Sequence, residues 1–253
     1  MLTLYHNDMS VCAAKVRTAL AAKKLDWNGV HLDLRRGDAQ KPEYLKLNPN
    51  AVVPTLVHDG RVIIESTVIC EYVDDQWPDQ PLKPTDSFGR AQMRLWTKQL
   101  DEGLHTAVGN FLFASPFAIN GLLVRQRIAQ DGWLTYLSRN GDSVYNPLLS
   151  WVLTRHSSCP LSNGITNCLM ISKSHDEVFS LAEVGYAPYL ARLRPLGFDV
   201  LFEQHPRVVE WSERVAKSPS VVDGVERWFN PKYLTLFAEK RPEVTARISR
   251  LIG

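Results

Sequence analysis

Asp59-Gly60 sits between two apolar runs in the stretch VVPTLVHDGRVIIES. Both residues of a two-residue hairpin turn must take φ > 0, which Asp-Gly tolerates. The pair therefore commits this part of the chain to an antiparallel hairpin. Upstream, residues 2–6 alternate in hydrophobicity and read as a strand, followed by a loop over 7–10. Ala13, Val16, Ala19 and Leu20 then share one helical face, with Lys15, Arg17, Lys23 and Lys24 mostly elsewhere. Residues 25–34 return as a second strand, with Val30, Leu32 and Leu34 on one face. Downstream of the hairpin, Ser66 is expected to cap a helix that turns Val68, Ile69, Tyr72 and Val73 inward. Glu71, Asp74 and Asp75 should face water, and Pro78 should end that helix.

Residues 1–77 thus run β-α-β, a loop helix, then β-β-α, which is a thioredoxin-type order. Residues 78–86, with three prolines in nine, read as a linker. Beyond them the pattern is helical. Met93, Trp96, Leu100, Leu104, Ala107 and Phe111 recur at helical spacing, with Arg94, Lys98, Asp101, Glu102 and His105 on the other side. Further helices are expected at 122–138, 180–193, 206–216 and 233–251. Ser180 and Glu183 form a capping box, with Phe179 and Val184 placed as its hydrophobic staple. The expected class is α/β followed by all-α: a thioredoxin-like domain over 1–77, the linker, and an all-helical domain over 87–253. Residues 139–178 are anomalous, being rich in Ser and Asn with no sustained period.

Composition narrows the function. Charged residues number 29 basic against 27 acidic, so no basic field calls for nucleic acid. No apolar run approaches the ~20 residues that span a bilayer. Four scattered cysteines make neither a disulfide scaffold nor a C-x-x-C metal set, which points to a reducing, cytoplasmic setting without metal.

The chemistry should sit at three junctions. Ser10 precedes the first helix, where unpaired backbone N–H groups and the helix dipole favour an anion. If that anion is a thiolate, a hydroxyl hydrogen bond of ~1.5–3 kcal/mol lowers the thiol pKa by one to two units. Taken alone, Ser10 also reads as a plain helix cap. Val53-Pro54 at a strand entry can be cis, leaving Val53 to pair with an extended peptide. Ser66 at a helix N-terminus offers donors to a carboxylate, and Glu65 can take an ammonium. A thiol site, a backbone rung and an amino-acid clamp together form a mould for γ-glutamyl-cysteinyl-glycine.

On LTLYHNDMS, KPEYLKLNPNAVVPTLVHDG, ESTVICEYVDD and FSLAEVGYAPYLARL, the chain resembles a cytosolic glutathione transferase. The resemblance covers residues 1–115 and resumes over 179–253. It implies glutathione as co-substrate and Ser10 as the thiol-activating serine of theta-, tau- and zeta-like classes. It also implies Val53, beside Pro54, on the cysteinyl backbone, and Glu65 with Ser66 on the γ-glutamyl end. The runs ESTVICEY and RAQMRLWTK further resemble bacterial β-etherases. Where relatives carry His and Lys for the glycine carboxylate, this chain has Ala39, Gln40 and Lys41, leaving Gln40 and Lys41 to serve. Cys12 is a second departure: it is either a packed thiol or a redox site, as in omega-like relatives. By resemblance, a small hydrophobic electrophile, aromatic in character, would bind among Phe111, Phe113, Phe117, Trp228 and Phe229, in a homodimer. Two other readings stay open, a thiol-disulfide oxidoreductase or isomerase using Cys12 and a non-catalytic glutathione-fold binding protein. Residues 139–178 are either an inserted loop over the acceptor site or a frameshift or mispredicted exon, and the abrupt return to family-like sequence at Phe179 favours the latter.

Overall fold

The computed structural model describes residues 1–105, 179–201 and 206–252. β1 (Leu2–His6) buries alternate residues, as its sequence alternation requires. α1 (Val11–Ala22) crosses over to β2 (Asn28–His31), which lies parallel to β1. A short 3-10 turn (Asp38–Gln40) and α2 (Pro42–Leu45) lead to the hairpin of β3 (Thr55–His58) and β4 (Arg61–Ile64). Asp59 and Gly60 take φ of 48° and 80°, the conformation the turn demands. The sheet order is β2-β1-β3-β4, with β3 antiparallel to both neighbours. α3 (Ser66–Gln76) completes the thioredoxin-like part.

α4 (Ser87–Gln99), capped by Asp86, passes into a π-helical turn (Leu100–Leu104). Met93, Trp96, Leu100 and Leu104 are buried, as their spacing requires, while Ala107 and Phe111 lie outside the described residues. α5 (Leu181–Leu193) opens on the expected capping box, with Ser180 N–H donating to Glu183 Oε2 at 2.9 Å. α6 (Pro206–Ala216), a short α7 (Pro219–Gly224) and α8 (Pro231–Ile252) follow. The helix expected at 122–138 and the anomalous 139–178 lie outside the described residues. Among the described residues no helix is long and apolar enough to cross a membrane.

One apolar core runs from Leu4, Leu20, Leu56, Ile69 and Val73 through Leu82 in the linker to Trp96, Tyr189, Leu193 and Val221. A smaller cluster of Leu32, Ala39, Tyr44 and Val53, backed by Tyr5, forms a second layer. The linker is tied down. Lys23 and Asp74 form a buried ion pair at 2.6 Å, Lys23 Nζ donates to the Trp77 carbonyl at 2.7 Å, and Leu82 N–H donates to Asp74 Oδ1 at 2.7 Å.

Four local expectations are corrected. Asp74 is buried rather than facing water, because Lys23 and the Leu82 amide supply the partners a buried carboxylate needs. Val68 is exposed rather than inward. Ser66 is the first helical residue, and Glu65, at φ 68°, holds the cap position without a side-chain cap bond. The second strand is four residues, not ten, since only Asn28–His31 pairs with β1. On α1, Lys15 and Arg17 are almost wholly buried (1% exposed each) and Lys23 is buried too, each against a specific acceptor.

Candidate functional site

The sheet register places the predicted junctions together. Tyr5 stands opposite Thr55, and Thr55 opposite Ile64, so the chain leaving β1, entering β3 and leaving β4 does so at one end of the sheet. His6 opposite His31 brings the exit of β2 to that same end. Three adjacent strands at ~4.8 Å spacing span roughly 10 Å, about the length of an extended tripeptide.

Ser10 is the N-cap of α1, and its Oγ accepts from Ala13 N–H at 3.1 Å. The bond uses a lone pair on the oxygen, so the hydroxyl proton remains for an acceptor at the helix mouth. The loop over 7–10 is held at each carbonyl. Asn7 and Asp8 carbonyls accept from Arg17 at 3.0 and 3.3 Å, and the Met9 carbonyl accepts from Arg192. Ser10 O accepts from Ala14 N–H at 2.9 Å. Asn7 Nδ2 donates to Leu32 O at 2.9 Å, and Asn230 Nδ2 to Asp8 Oδ2 at 3.0 Å. Arg17 also donates to Gly224 O at 2.9 Å and lies over the Trp228 ring at 4.8 Å. The serine is thereby fixed in place before any ligand arrives.

Behind this loop, burial and then the Arg17 guanidinium push His6 down from 6.5 to about 4, so its ring is neutral near pH 7. It meets Trp228 edge-on, with centroids 4.7 Å apart. Burial likewise pushes Arg17 down to about 9.

The Val53-Pro54 bond is cis. The residue before Val53 is anchored from beneath: Val52 O accepts from Tyr44 Oη at 2.6 Å and from Asn48 Nδ2 at 2.9 Å. Both side chains also reach Thr55 Oγ1, at 2.8 and 3.1 Å. At the start of α3, Ser66 is buried, whereas the Glu65 carboxylate is exposed and has no partner among the described residues. Gln40 ends the 3-10 turn on the surface. Lys41 is exposed and ion-paired with Asp38 at 2.7 Å, an interaction that raises its pKa. A ligand carboxylate approaching Lys41 must compete with Asp38.

The rest of the expected set divides. Trp228 is engaged by His6, Trp27 and Arg17, and Phe229 packs against the main core. Phe111, Phe113 and Phe117 lie outside the described residues. Arg17, Tyr44, Asn48, His105 and Tyr189 were missed from the sequence. The signals that could have found Tyr44 and Asn48 lie in KPEYLKLNPN, where a Tyr on the short helix and an Asn three residues past its end precede the strand they anchor.

A small mixed sheet with a helix-mouth serine, a cis-proline and an exposed carboxylate at one end defines a thioredoxin-like domain. Comparison with known proteins gives the family. Residues 1–75 match the glutathione S-transferase N-terminal domain. Protein LigF of Sphingobium sp. is 34% identical over 245 residues, covering 89% of this chain and 93% of LigF. Maleylacetoacetate isomerase of Dictyostelium discoideum is 41% identical over 93 residues, 36% of this chain and 42% of the isomerase. The crystal structure of the beta-etherase LigF from Sphingobium sp. superposes with a TM-score of 0.69 at 24% identity, covering 89% of this chain and 99% of that one. The chain belongs to the glutathione S-transferase family, enzymes whose co-substrate is glutathione.

Proposed function

We propose that this enzyme holds glutathione at the common end of the sheet and that Ser10 keeps its sulfur ionised for attack on an aromatic electrophile. The observation that carries the reading is the register that sets Ser10, Val53-Pro54 and Glu65-Ser66 at that end. In this reading the Ser10 hydroxyl donates to the thiolate, and the N-terminus of α1 adds its dipole. Val53 pairs with the cysteinyl backbone, aimed by Tyr44 and Asn48 through the neighbouring carbonyl. Glu65 takes the γ-glutamyl ammonium, and Ser66 with the α3 N-terminus takes its carboxylate. Gln40 and Lys41 meet the glycine carboxylate, with Lys41 drawn from Asp38.

Residues 1–77 carry glutathione and 87–253 the acceptor, with Phe229 as a lining residue among those described. Trp228 acts as scaffold, since its ring is already committed to His6, Trp27 and Arg17. The likeness to LigF over nearly its whole length supports an aryl ether as acceptor. The thiolate attacks the ether-bearing carbon, the C–S bond forms, the C–O bond breaks, and the phenoxide takes a proton from water. Binding supplies proximity and orientation, and the helix mouth supplies the ionised nucleophile. The enzyme works in the cytoplasm as a homodimer, for which the exposed Val68 and Phe88 supply apolar surface.

The test is a steady-state acceptor panel with glutathione, containing β-aryl ethers, aryl halides and maleyl-type isomerisation substrates. The reading expects release of free phenol and a glutathione thioether from the ethers. Isomerisation without thioether product would replace the acceptor assignment.

A further inference from the structure

Two pairs of side chains bridge α1 to the end of the long helix that follows the linker. Cys12 and Lys15, three apart on α1, share one face, and Asp101 and His105, four apart, share the other. Lys15 Nζ pairs with Asp101 Oδ1 at 2.8 Å and donates to Thr67 Oγ1 at 2.8 Å. Because Lys15 is almost wholly buried, this pair pins the helix one turn before His105. The π-helical turn over Leu100–Leu104, a geometry that recurs at functional sites, leads directly into His105. His105 Nδ1 then stands 3.6 Å from Cys12 Sγ and 2.9 Å from Tyr189 Oη on α5.

Tyr189 is wholly buried, and burial holds its phenol well above the ordinary value, so it stays a hydroxyl. A hydroxyl accepts from an Nδ1–H and donates to a bare Nδ1 alike. The His105 ring therefore keeps one orientation whichever of its nitrogens carries the proton. Nε2, on the far side of the ring, has no hydrogen bond among the described residues, and the residue is exposed. The bond to Cys12 raises the His105 pKa above its ordinary 6.5, against burial and the charge of Lys15, which lower it. Asp101, on its own helix, adds to the rise, and Tyr189 is the titratable group facing it from α5. The imidazolium is thus well populated near pH 7. His6, neutral there, is unsuited to give a proton.

The ether cleavage proposed above makes a demand that water meets poorly. A phenol of pKa near ~10 leaves slowly unless its oxygen receives a proton while the C–O bond is breaking. With reacting atoms ~3–3.5 Å apart, a donor in hydrogen-bond reach of the leaving oxygen stands on the order of 10 Å from the group that holds the sulfur. Helical geometry sets Ser10 and Cys12 ~5 Å apart, and the imidazole is one contact beyond Cys12, within that span. We propose that His105, in place of water, is the general acid of this step and gives its Nε2 proton to the leaving aryl oxygen. The assignment rests on the aryl-ether reading. The glutathione thiolate attacks carbon, the C–S bond forms and the C–O bond breaks. The oxygen takes the imidazolium proton and departs as a neutral phenol, and solvent returns a proton to the imidazole.

The test measures kcat of the full-length protein with glutathione and three acceptors: a methoxyphenyl β-ether, a nitrophenyl β-ether and 1-chloro-2,4-dinitrobenzene. Their leaving groups fall in basicity in that order, and chloride takes no proton at all. His105→Gln should lose about 100-fold or more with the methoxyphenyl ether, less with the nitrophenyl ether and least with the chloride. The same fold-loss with all three, or no loss with the methoxyphenyl ether, would overturn the proposal. Wild-type pH profiles keep the test open if the variant fails to fold. With the methoxyphenyl ether kcat should fall as pH rises through the His105 pKa, above 6.5, and with the chloride it should not. No such fall with the ether would overturn the assignment while leaving the aryl-ether reading in place. No phenol released from either ether by the wild type would overturn that reading and the assignment with it.

Discussion

Ser10 performs two tasks with one oxygen, accepting from Ala13 N–H while its own proton stays available. Glu65 is complementary: an exposed carboxylate on a positive-φ residue, with no partner among the described residues. A charge-assisted bond to a ligand ammonium is worth ~1.5–3 kcal/mol. Glu65→Gln should therefore raise KM for glutathione about tenfold or more with kcat little changed, as initial-rate kinetics at saturating acceptor will read. His6 carries a stability prediction. Its folded pKa of about 4 lies below the unfolded 6.5, so the unfolded chain binds the extra proton as pH falls. Stability is complete above pH 6.5 and declines toward pH 4, by about 3 kcal/mol at the limit. Urea melts at pH 7 and pH 4.5 should show that loss shrink in His6→Phe. The positions of Ser10, Val53-Pro54, Glu65 and Ser66 at junctions between elements were legible in the sequence, because each junction has a local signal. Arg17, His105 and Tyr189 were not, because their partners stand far along the chain; the Arg17 contact to Gly224 O spans 207 residues.

At the scale of elements, α1 shows why periodicity informs and where it stops. Its apolar face was legible from residue spacing. The burial of Lys15, Arg17 and Lys23 was not, because a buried cation depends on an acceptor that only the tertiary fold supplies. Asp74 is the matching case on α3. Removing one partner of a buried pair costs ~3–5 kcal/mol. Asp74→Ala should destabilise by that order in chemical denaturation, since it leaves the buried Lys23 without its counter-charge and the Leu82 amide without its acceptor. α7 meets α1 at Gly224, where an added Cβ would lie 2.4 Å from Thr18 Oγ1 and 2.5 Å from Thr18 Cα. Gly224→Ala should force α1 and α7 apart at a cost of ~1–3 kcal/mol, read as a lowered Tm. Because Arg17 donates to the Gly224 carbonyl, the same variant should also lower turnover. The hairpin, by contrast, was legible outright, since Asp-Gly has few other uses between two strands.

For the whole molecule, the change from α/β pattern to helical pattern after residue 77 was plain in the sequence, and the proline-rich stretch suggested a simple tether. The structure puts Leu82 of that stretch inside a core continuous from the sheet to the C-terminal helices. Shared burial couples the parts, so calorimetry should show one cooperative transition; two separated transitions would contradict the shared core. Sedimentation velocity should give a dimer, and Val68→Glu with Phe88→Glu should shift it to monomer. The central claim remains that the hydroxyl at the mouth of α1 keeps glutathione ionised. Ultraviolet titration of the thiolate of enzyme-bound glutathione measures this directly. A midpoint one to two pH units below the free thiol, lost in Ser10→Ala, is the predicted result. The same midpoint in both proteins would contradict it.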